Sequence, residues 1–139
     1  DEATPENDFC YGLLPKGEDG EDYSYMQIMD KVYHGQMKGG FIFGVNPMNS
    51  FPNTNKMRLA LDNLDWMVCA ELHNSETTDN WRRPGVDPKT KKTEVFLLPS
   101  AHRVEKAGTI SNSGRWLLWF DKAVEPGGEA RSFADIFVP

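Results

Sequence analysis

Cysteine, long apolar runs and clustered positive charge are all scarce in this chain. Its 139 residues include only two cysteines, Cys10 and Cys69, which are too few and too far apart for a disulfide-stapled scaffold. Cys69 lies inside an apolar run, where we expect a small buried side chain. No apolar run approaches the roughly 20 residues that a membrane-crossing helix needs, so we expect no direct membrane span.

The charge balance argues against nucleic acid as a partner. The formal net charge is -6, whereas a sequence-independent grip on phosphates requires clustered cations. Only residues 82–92 gather positive charge, and prolines and a glycine interrupt them, which indicates a solvated loop. The cations of that stretch are Arg82, Arg83, Lys89, Lys91 and Lys92.

Short motifs for metal binding and catalysis are also missing. His34, His73 and His102 are not spaced as metal ligands, and neither cysteine joins them in a short motif. Ser100 lacks the flanking glycines of a nucleophile elbow. No glycine fingerprint follows the first predicted strand, which argues against a standard NAD-binding domain. We therefore predict no catalytic residue and no metal ligand in this chain.

The ends of the chain differ from those of a typical complete protein. Residue 1 is not methionine, and Asp1 to Asp8 is acidic and unlike a signal peptide. The chain stops at Pro139, just after an apparently helical segment, Ser132 to Ile136. We expect an internal piece of a longer protein, with residues 1–22 as a loop or linker and residues 23–139 as one α/β domain.

Apolar periodicity predicts two helices and three strands. Helices are expected over Tyr23–Tyr33 and Asn53–Leu64, where apolar residues recur at three- and four-residue spacing. The second helix carries the stripe Met57, Ala60, Leu61 and Leu64. Continuous apolar runs predict strands at Gly40–Val45, Trp66–Ala70 and Thr93–Leu98, each covered on both faces as in a parallel sheet.

Strand, helix and strand joined by short turns form a βαβ unit, which makes the fold class α/β. We expect a Rossmann-like three-layer domain with a parallel sheet. The connection His73–Lys92 is too polar for a packed helix, although Ser75–Trp81 suits a turn or two. Three aromatic residues, Trp116, Trp119 and Phe120, are expected to pack against the sheet.

The strand order also predicts where a ligand binds. In open parallel sheets this is the edge at the carboxyl ends of the strands. Gly44 allows close approach to the backbone, Asn46 offers a donor and an acceptor, and the helix start near Asn53 favours an anion. Glu71 stands where nucleotide-binding folds place a carboxylate for ribose hydroxyls, although a solvated acid at a strand end is the simpler alternative.

Three motifs match a known family. They are Phe-Ile-Phe-Gly-Val-Asn-Pro at 41–47, Thr-Glu-Val-Phe-Leu-Leu-Pro at 93–99, and Glu-Lys-Ala-Gly-Thr-Ile-Ser-Asn-Ser-Gly-Arg at 105–115. Their order and spacing resemble the third domain of the bis-molybdopterin guanine dinucleotide oxidoreductases. Lys122–Pro126 is similar to the formate dehydrogenase branch, and Asn74–Thr77 followed by Trp81 resembles its respiratory, membrane-associated type. The likeness runs from about Tyr11 to the end.

The resemblance implies an internal segment of the large (alpha) subunit of a formate dehydrogenase, which oxidises formate to CO2 by two electrons. The implied cofactors are a molybdopterin guanine dinucleotide with molybdenum or tungsten, and an iron-sulfur cluster in another region of the parent enzyme. The implied partners are the remaining domains of a multidomain subunit and an iron-sulfur electron-transfer subunit, in the periplasm. The segment alone is expected to be inactive.

The resemblance further implies that this segment lines the guanosine half of one pterin dinucleotide. The implied residues are Gly44, Asn46, Pro47, Glu71, Glu105, Gly108, Thr109, Asn112 and Arg115. An acid and an amide would read ribose and guanine edges, and an arginine would offset phosphate charge. Two positions depart from the family: Glu71, where many relatives carry Asp, and Leu118, where relatives often have Gln.

Two other interpretations stay open. One is a scaffold domain of the same fold that has lost the cofactor, like the large iron-sulfur subunit of respiratory complex I. The other is a free-standing nucleotide-binding module with a flavodoxin-like sheet. Retention of the loop motifs speaks against the first, and the ends of the chain speak against the second.

Overall fold

A three-stranded parallel sheet organises the chain in the computed structural model, which describes residues 3–137. The strands, in sheet order, are β1 (Gly39–Phe43), β2 (Trp66–Glu71) and β3 (Glu94–Pro99). The α/β class and all three predicted strands are confirmed. The strands pair almost level, with Phe43 opposite Ala70 and Ala70 opposite Leu98. Their carboxyl ends therefore lie along one edge of the sheet.

Helices cover one face of this sheet. They are α1 (Tyr25–Tyr33), the short α2 (Pro47–Ser50) and α3 (Thr54–Asp62), whereas α4 (Phe133–Phe137), near the end of the chain, lies on the other face. Helix α3 begins where Asn53 Oδ1 accepts a hydrogen bond of 3.1 Å from the Lys56 amide. The cap satisfies one of the free N–H groups of the first turn, which explains why the helix starts there.

The core lies between α1, α3 and the helix-covered face of the sheet. Its buried members are Met29, Val32, Met48, Met57, Ala60, Leu61, Leu64, Met67 and Cys69. They include the whole predicted stripe of the second helix, which is confirmed. Cys69 is fully buried, as expected, and burial raises the pKa of its thiol to about 11. No helix in the described range is long and apolar enough to span a bilayer.

The connection from β2 to β3 contains no α-helix. It holds two 3-10 turns, Asn80–Arg82 and Pro88–Thr90, as the polar composition of this stretch indicated. Short turns leave many side chains of the connection near the carboxyl edge of the sheet. Several of these side chains line a cleft at that edge.

The second face of the sheet departs from prediction. Phe41 and Phe96 are 62% and 46% exposed, so the expectation that the strands are covered on both faces is wrong for the described residues. Among the helices of residues 3–137, α4 is the one that approaches this face, where Phe133 stacks on Phe43 with ring centroids 5.4 Å apart and Phe137 lies 5.2 Å from the same ring. The remaining apolar surface has no cover within residues 3–137.

The aromatic run after residue 115 does not pack on the sheet either. It belongs to an antiparallel hairpin of β4 (Gly108–Ser111) and β5 (Leu117–Phe120). Trp116 and Trp119 are 67% and 65% exposed, so their predicted packing is wrong. The reason is that β4 and β5 pair with each other through backbone hydrogen bonds and form a separate two-stranded ribbon. Apolar character alone does not reveal such a pairing.

The start of the chain lies outside the core. Residues 5–13 form a 3-10 segment with left-handed backbone at Asp8, Phe9 and Cys10, and it has no buried residue. Residues 14–22 are exposed loop. This arrangement accords with a linker at 1–22, although the domain boundary itself stays a prediction. The predicted positions 1, 2, 138 and 139 lie outside the described residues.

Substitution of Met57 by Ala tests the core. Met57 is 2% exposed on α3, so its truncation removes packed atoms and is expected to cost about 2–5 kcal/mol of unfolding free energy. Leu59→Ala on the same helix is the control, because Leu59 is 51% exposed. Urea unfolding of the two variants measures the difference. Equal losses would contradict the assignment of α3's inner face.

Candidate functional site

The loops after β1 and β2 meet at the carboxyl edge of the sheet. The Gly44 amide donates to the Ala70 carbonyl at 3.2 Å, which keeps the first loop against the second strand. Gly44 has a φ of +62°, a conformation that favours glycine, whereas a Cβ here would meet the Phe133 ring at an ordinary 3.5 Å. The left-handed backbone conformation, rather than a lack of room for a side chain, therefore explains why glycine stands at position 44. The next element starts at Pro47, which is buried in the first turn of α2.

Glu71 ends β2 on the helix-covered face and carries an unsatisfied acceptor. Its Oε1 is buried and has no hydrogen-bond partner in the described part of the chain. Burial raises the pKa of Glu71, while the His73 charge and a hydrogen bond from the Val45 amide act in the opposite direction. A buried carboxylate oxygen without a donor is costly, so this position favours a ligand that brings an O–H or N–H group.

Asn46 is held by the loop that follows β2. Its Nδ2 donates to Glu76 Oε2 at 2.5 Å, and its Oδ1 accepts from the Thr77 hydroxyl at 2.7 Å. The Asn46 amide therefore does not stand free, as its expected donor and acceptor roles assumed. One N–H and one oxygen lone pair remain for a ligand.

Asn46 also forms part of the wall of an open cleft with a volume of about 680 Å³. Ligand pockets in proteins usually enclose about 300–1,000 Å³, so the cleft is large enough for a nucleotide. It is lined by Asn46, Met48, Asn49, Arg58, His73, Asn74, Ser75, Glu76, Asp79, Arg82, Arg83 and Pro84. Asn53 is not among them, so the predicted anion site at the start of the helix does not face this space.

Positive charge in the cleft comes from side chains that sequence reasoning missed. Arg58 is exposed on α3 and takes part in no ion pair within residues 3–137. Arg82 is held by Asp79, whose Oδ1 accepts from its Nε at 3.0 Å and its NH2 at 2.8 Å. Nothing in the sequence near Arg58 marked it, because it joins the site only through packing of α3 on the sheet.

A largely buried acid anchors the far wall of the cleft. Asp62 accepts from Arg83 at 2.8 Å and from Lys91 at 2.6 Å, and the three side chains are only 17–19% exposed. The nearly buried amide of Asn80 also donates to Asp62 at 3.0 Å. The prediction that residues 82–92 are a solvated loop is thus wrong for Arg83 and Lys91. Their charges pair with an acid some 20 to 30 residues earlier, which local composition does not reveal.

Among the described residues, Asn46 is the one predicted site residue that lines this cleft; Gly44, Pro47 and Glu71 lie at the same edge of the sheet but outside the lining, and the other five belong to later segments. Glu105 Oε2 accepts from the His102 amide at 2.7 Å, and Gly108 and Thr109 belong to β4. In the hairpin turn, Asn112 Oδ1 accepts from the Gly114 amide at 2.9 Å, and Arg115 has a φ of +61°. The structure therefore brings Gly44, Asn46, Pro47 and Glu71 to one edge. A shared site with the other five stays a prediction.

No group of three or more His, Cys, Asp and Glu side chains that could hold a metal ion occurs among the residues that the structure describes. The cleft instead offers amides, hydroxyls, carboxylates and guanidinium groups. Such a set suits an organic anion with hydroxyl and amide edges, of which a nucleotide is one.

Comparison with known proteins decides the family. The chain is 84% identical over 139 residues to the formate dehydrogenase 2 subunit alpha (cytochrome c-553) of Nitratidesulfovibrio vulgaris, covering 100% of this chain and 14% of that protein. The chain belongs to the formate dehydrogenase large-subunit family. The formate dehydrogenase subunit alpha of Megalodesulfovibrio gigas is 50% identical over 93% of this chain and 13% of its own length.

The nitrate-inducible formate dehydrogenase major subunit of Escherichia coli is 40% identical over 98% of this chain and 14% of its own length. The family resemblance predicted from the three motifs is therefore confirmed. The chain spans about one seventh of the length of these formate dehydrogenase subunits, so it corresponds to a small part of a larger subunit. No family model matches the chain.

Substitution of Asp62 by Asn tests the wall of the cleft. The change leaves Arg83 and Lys91 without a counterion in a partly buried place, and we expect a loss of about 3–5 kcal/mol near neutral pH. Asp65→Asn is the control, because Asp65 is exposed and no side-chain partner holds it within the described range. Urea unfolding of the chain measures both.

The pH dependence of the Asp62→Asn loss is a second readout. Burial raises the pKa of Asp62, but hydrogen bonds and charges from Arg83 and Lys91 outweigh it and hold the pKa below its usual 3.8. A depressed pKa stabilises the folded state above the unfolded value, and this contribution disappears as the pH falls through the folded value. The difference between wild type and variant should shrink below about pH 3.8. A difference independent of pH would contradict the ion-pair account.

Proposed function

We propose that this chain is the part of a formate dehydrogenase large subunit that binds the guanosine end of a molybdopterin guanine dinucleotide. The observation that carries the proposal is the unpartnered, buried Oε1 of Glu71 at the carboxyl edge of a parallel sheet. Nucleotide-binding α/β folds place an acid at this position to accept hydrogen bonds from ribose hydroxyls. A ribose O–H would supply the donor that the carboxylate lacks.

The neighbouring side chains fit the rest of a nucleotide. Asn46 keeps one N–H and one lone pair for a base edge, beside a cleft of about 680 Å³. Arg58 and Arg82 line the same cleft and would offset phosphate charge. Donor, acceptor and cation therefore surround one space. The amide and guanidinium groups of the cleft suit the base and phosphate of a guanosine phosphate, and the Glu71 carboxylate lies at the same edge of the sheet, outside the cleft lining.

In the parent enzyme, the cofactor would supply a molybdenum or tungsten centre that accepts two electrons from formate, with release of CO2 and a proton. The residues described here would hold the nucleotide end of that cofactor and would not touch formate. The iron-sulfur cluster and the metal's protein ligand would belong to other regions of the subunit. We accordingly expect no formate oxidation by this chain alone. Turnover with formate and a viologen dye would contradict that expectation.

The remaining domains of the subunit would be the chain's first partners. Two apolar surfaces support this: the outer face of the sheet with Phe41 and Phe96, and the exposed hairpin with Trp116 and Trp119. Exposed patches of this kind usually mark contacts with other protein. They also argue against a free-standing module. An iron-sulfur electron-transfer subunit and a c-type cytochrome would then receive the electrons, and the periplasm is the proposed location.

Two substitutions in the full-length subunit test the binding role. Glu71→Gln removes the charged acceptor of the proposed ribose hydrogen bond, and Asn46→Ala removes the amide that would contact the base. A hydrogen bond to a charged group contributes about 1.5–3 kcal/mol, so we expect the nucleotide to be lost about tenfold faster or more. The guanine released by acid from the purified subunit measures how much cofactor is retained. Glu94→Gln, at the opposite end of the sheet, is the control.

The two outcomes are distinct. A lower guanine content in both site variants, with the control at the wild-type level, would support the binding role. Wild-type guanine content in Glu71→Gln and Asn46→Ala, together with correct folding, would remove the proposal.

A further inference from the structure

Thr77 is a fully buried threonine in the turn that follows β2. Its hydroxyl joins the two loops of the carboxyl edge, because Oγ1 accepts from the Met48 amide at 3.2 Å and donates to Asn46 Oδ1 at 2.7 Å. Thr77 is not among the residues that line the cleft. Any effect that it has on a ligand must therefore pass through another residue, and Asn46 is the one that it touches.

The two contacts of Asn46 fix which way its amide faces. Glu76 Oε2 lies 2.5 Å from Nδ2, and the pKa of Glu76 is lowered by its own backbone amide, by Asn46 and by the His73 charge. An ionised carboxylate only accepts hydrogen bonds, so a flipped Asn46 would set oxygen against oxygen. The Thr77 hydroxyl reinforces the same orientation, since its single proton is directed to Oδ1.

We propose that Thr77 is a positioning residue that locks the Asn46 amide in one orientation for the guanosine end of the cofactor. The inference rests on the proposed function, because it assigns Thr77 a role at that same site. A fixed amide loses less freedom when a ligand binds, so the ligand is held more tightly than by a rotating side chain. Loss of the hydroxyl removes one of the two contacts that orient the amide, so that Glu76 alone holds it, and leaves the Met48 amide without its acceptor.

Four variants of the full-length subunit with its cofactor test this role: Thr77→Val, Thr77→Ser, Asn46→Ala and the double variant Thr77→Val/Asn46→Ala. Valine keeps the shape of threonine without the hydroxyl, whereas serine keeps the hydroxyl. The readout is the rate at which guanine is lost from the purified subunit during incubation in dilute urea. The unfolding midpoint of each variant is measured beside it.

Thr77→Val is expected to lose guanine about five- to tenfold faster than wild type, as follows from removal of one hydrogen bond. Thr77→Ser should stay within about twofold of wild type, since its hydroxyl can make both bonds. The double variant should lose guanine no faster than Asn46→Ala, because residues that act through one another are not additive. A purely structural threonine would instead give additive effects that follow the unfolding midpoint.

Each failure has a separate meaning. An unchanged rate in Asn46→Ala overturns the proposed function. A faster loss in Asn46→Ala, with an unchanged rate in Thr77→Val or additive rates in the double variant, overturns the role of Thr77 alone. Where Thr77→Val does not accumulate as folded subunit, Thr77→Ala takes its place in the same set with the same expected outcomes.

Discussion

Parallel pairing of β2 with both neighbours is the constraint on which the rest of the structure depends. Because the three strands run in one direction and start almost level, the loops after Phe43, Glu71 and Pro99 leave the sheet at one edge. The Ser100 amide donates to the Glu71 carbonyl at 3.0 Å and extends this alignment past the strand ends. The packing of α3 on β2 then brings Arg58 toward the same edge. Asn46, Arg58 and the loop after β2 thereby meet around one cleft.

The sequence carries enough information for the sheet and for part of its edge. The stripe of Met57, Ala60, Leu61 and Leu64 predicts α3, since helical periodicity is local and repeats within one segment. The rule that ligands bind at the carboxyl ends of parallel strands predicts the importance of Asn46 and Glu71. The hydrogen bond from Thr77 to Asn46 could not be predicted from the sequence, because it joins two residues 31 positions apart through one buried hydroxyl.

Two errors share one physical cause. The apolar run Gly40–Val45 and the aromatic run after Arg115 both indicated burial, yet both expose large side chains among residues 3–137. Apolar composition indicates that a surface is buried, but it does not indicate which segment packs on it. This chain spans 14% of the Nitratidesulfovibrio vulgaris subunit that it resembles, and long-range cover from outside the chain is consistent with the bare surfaces. Helix α3 was predictable because its partner, β2, follows directly in the chain.

The most direct test of the account is a structure of the full-length subunit with its cofactor bound. We predict that a ribose hydroxyl of the guanosine lies within about 3.2 Å of Glu71 Oε1, with the Asn46 amide beside the base, since that is the usual range of a hydrogen bond. A guanosine bound elsewhere, with Glu71 Oε1 paired to a protein group from another part of the subunit, would contradict the central claim.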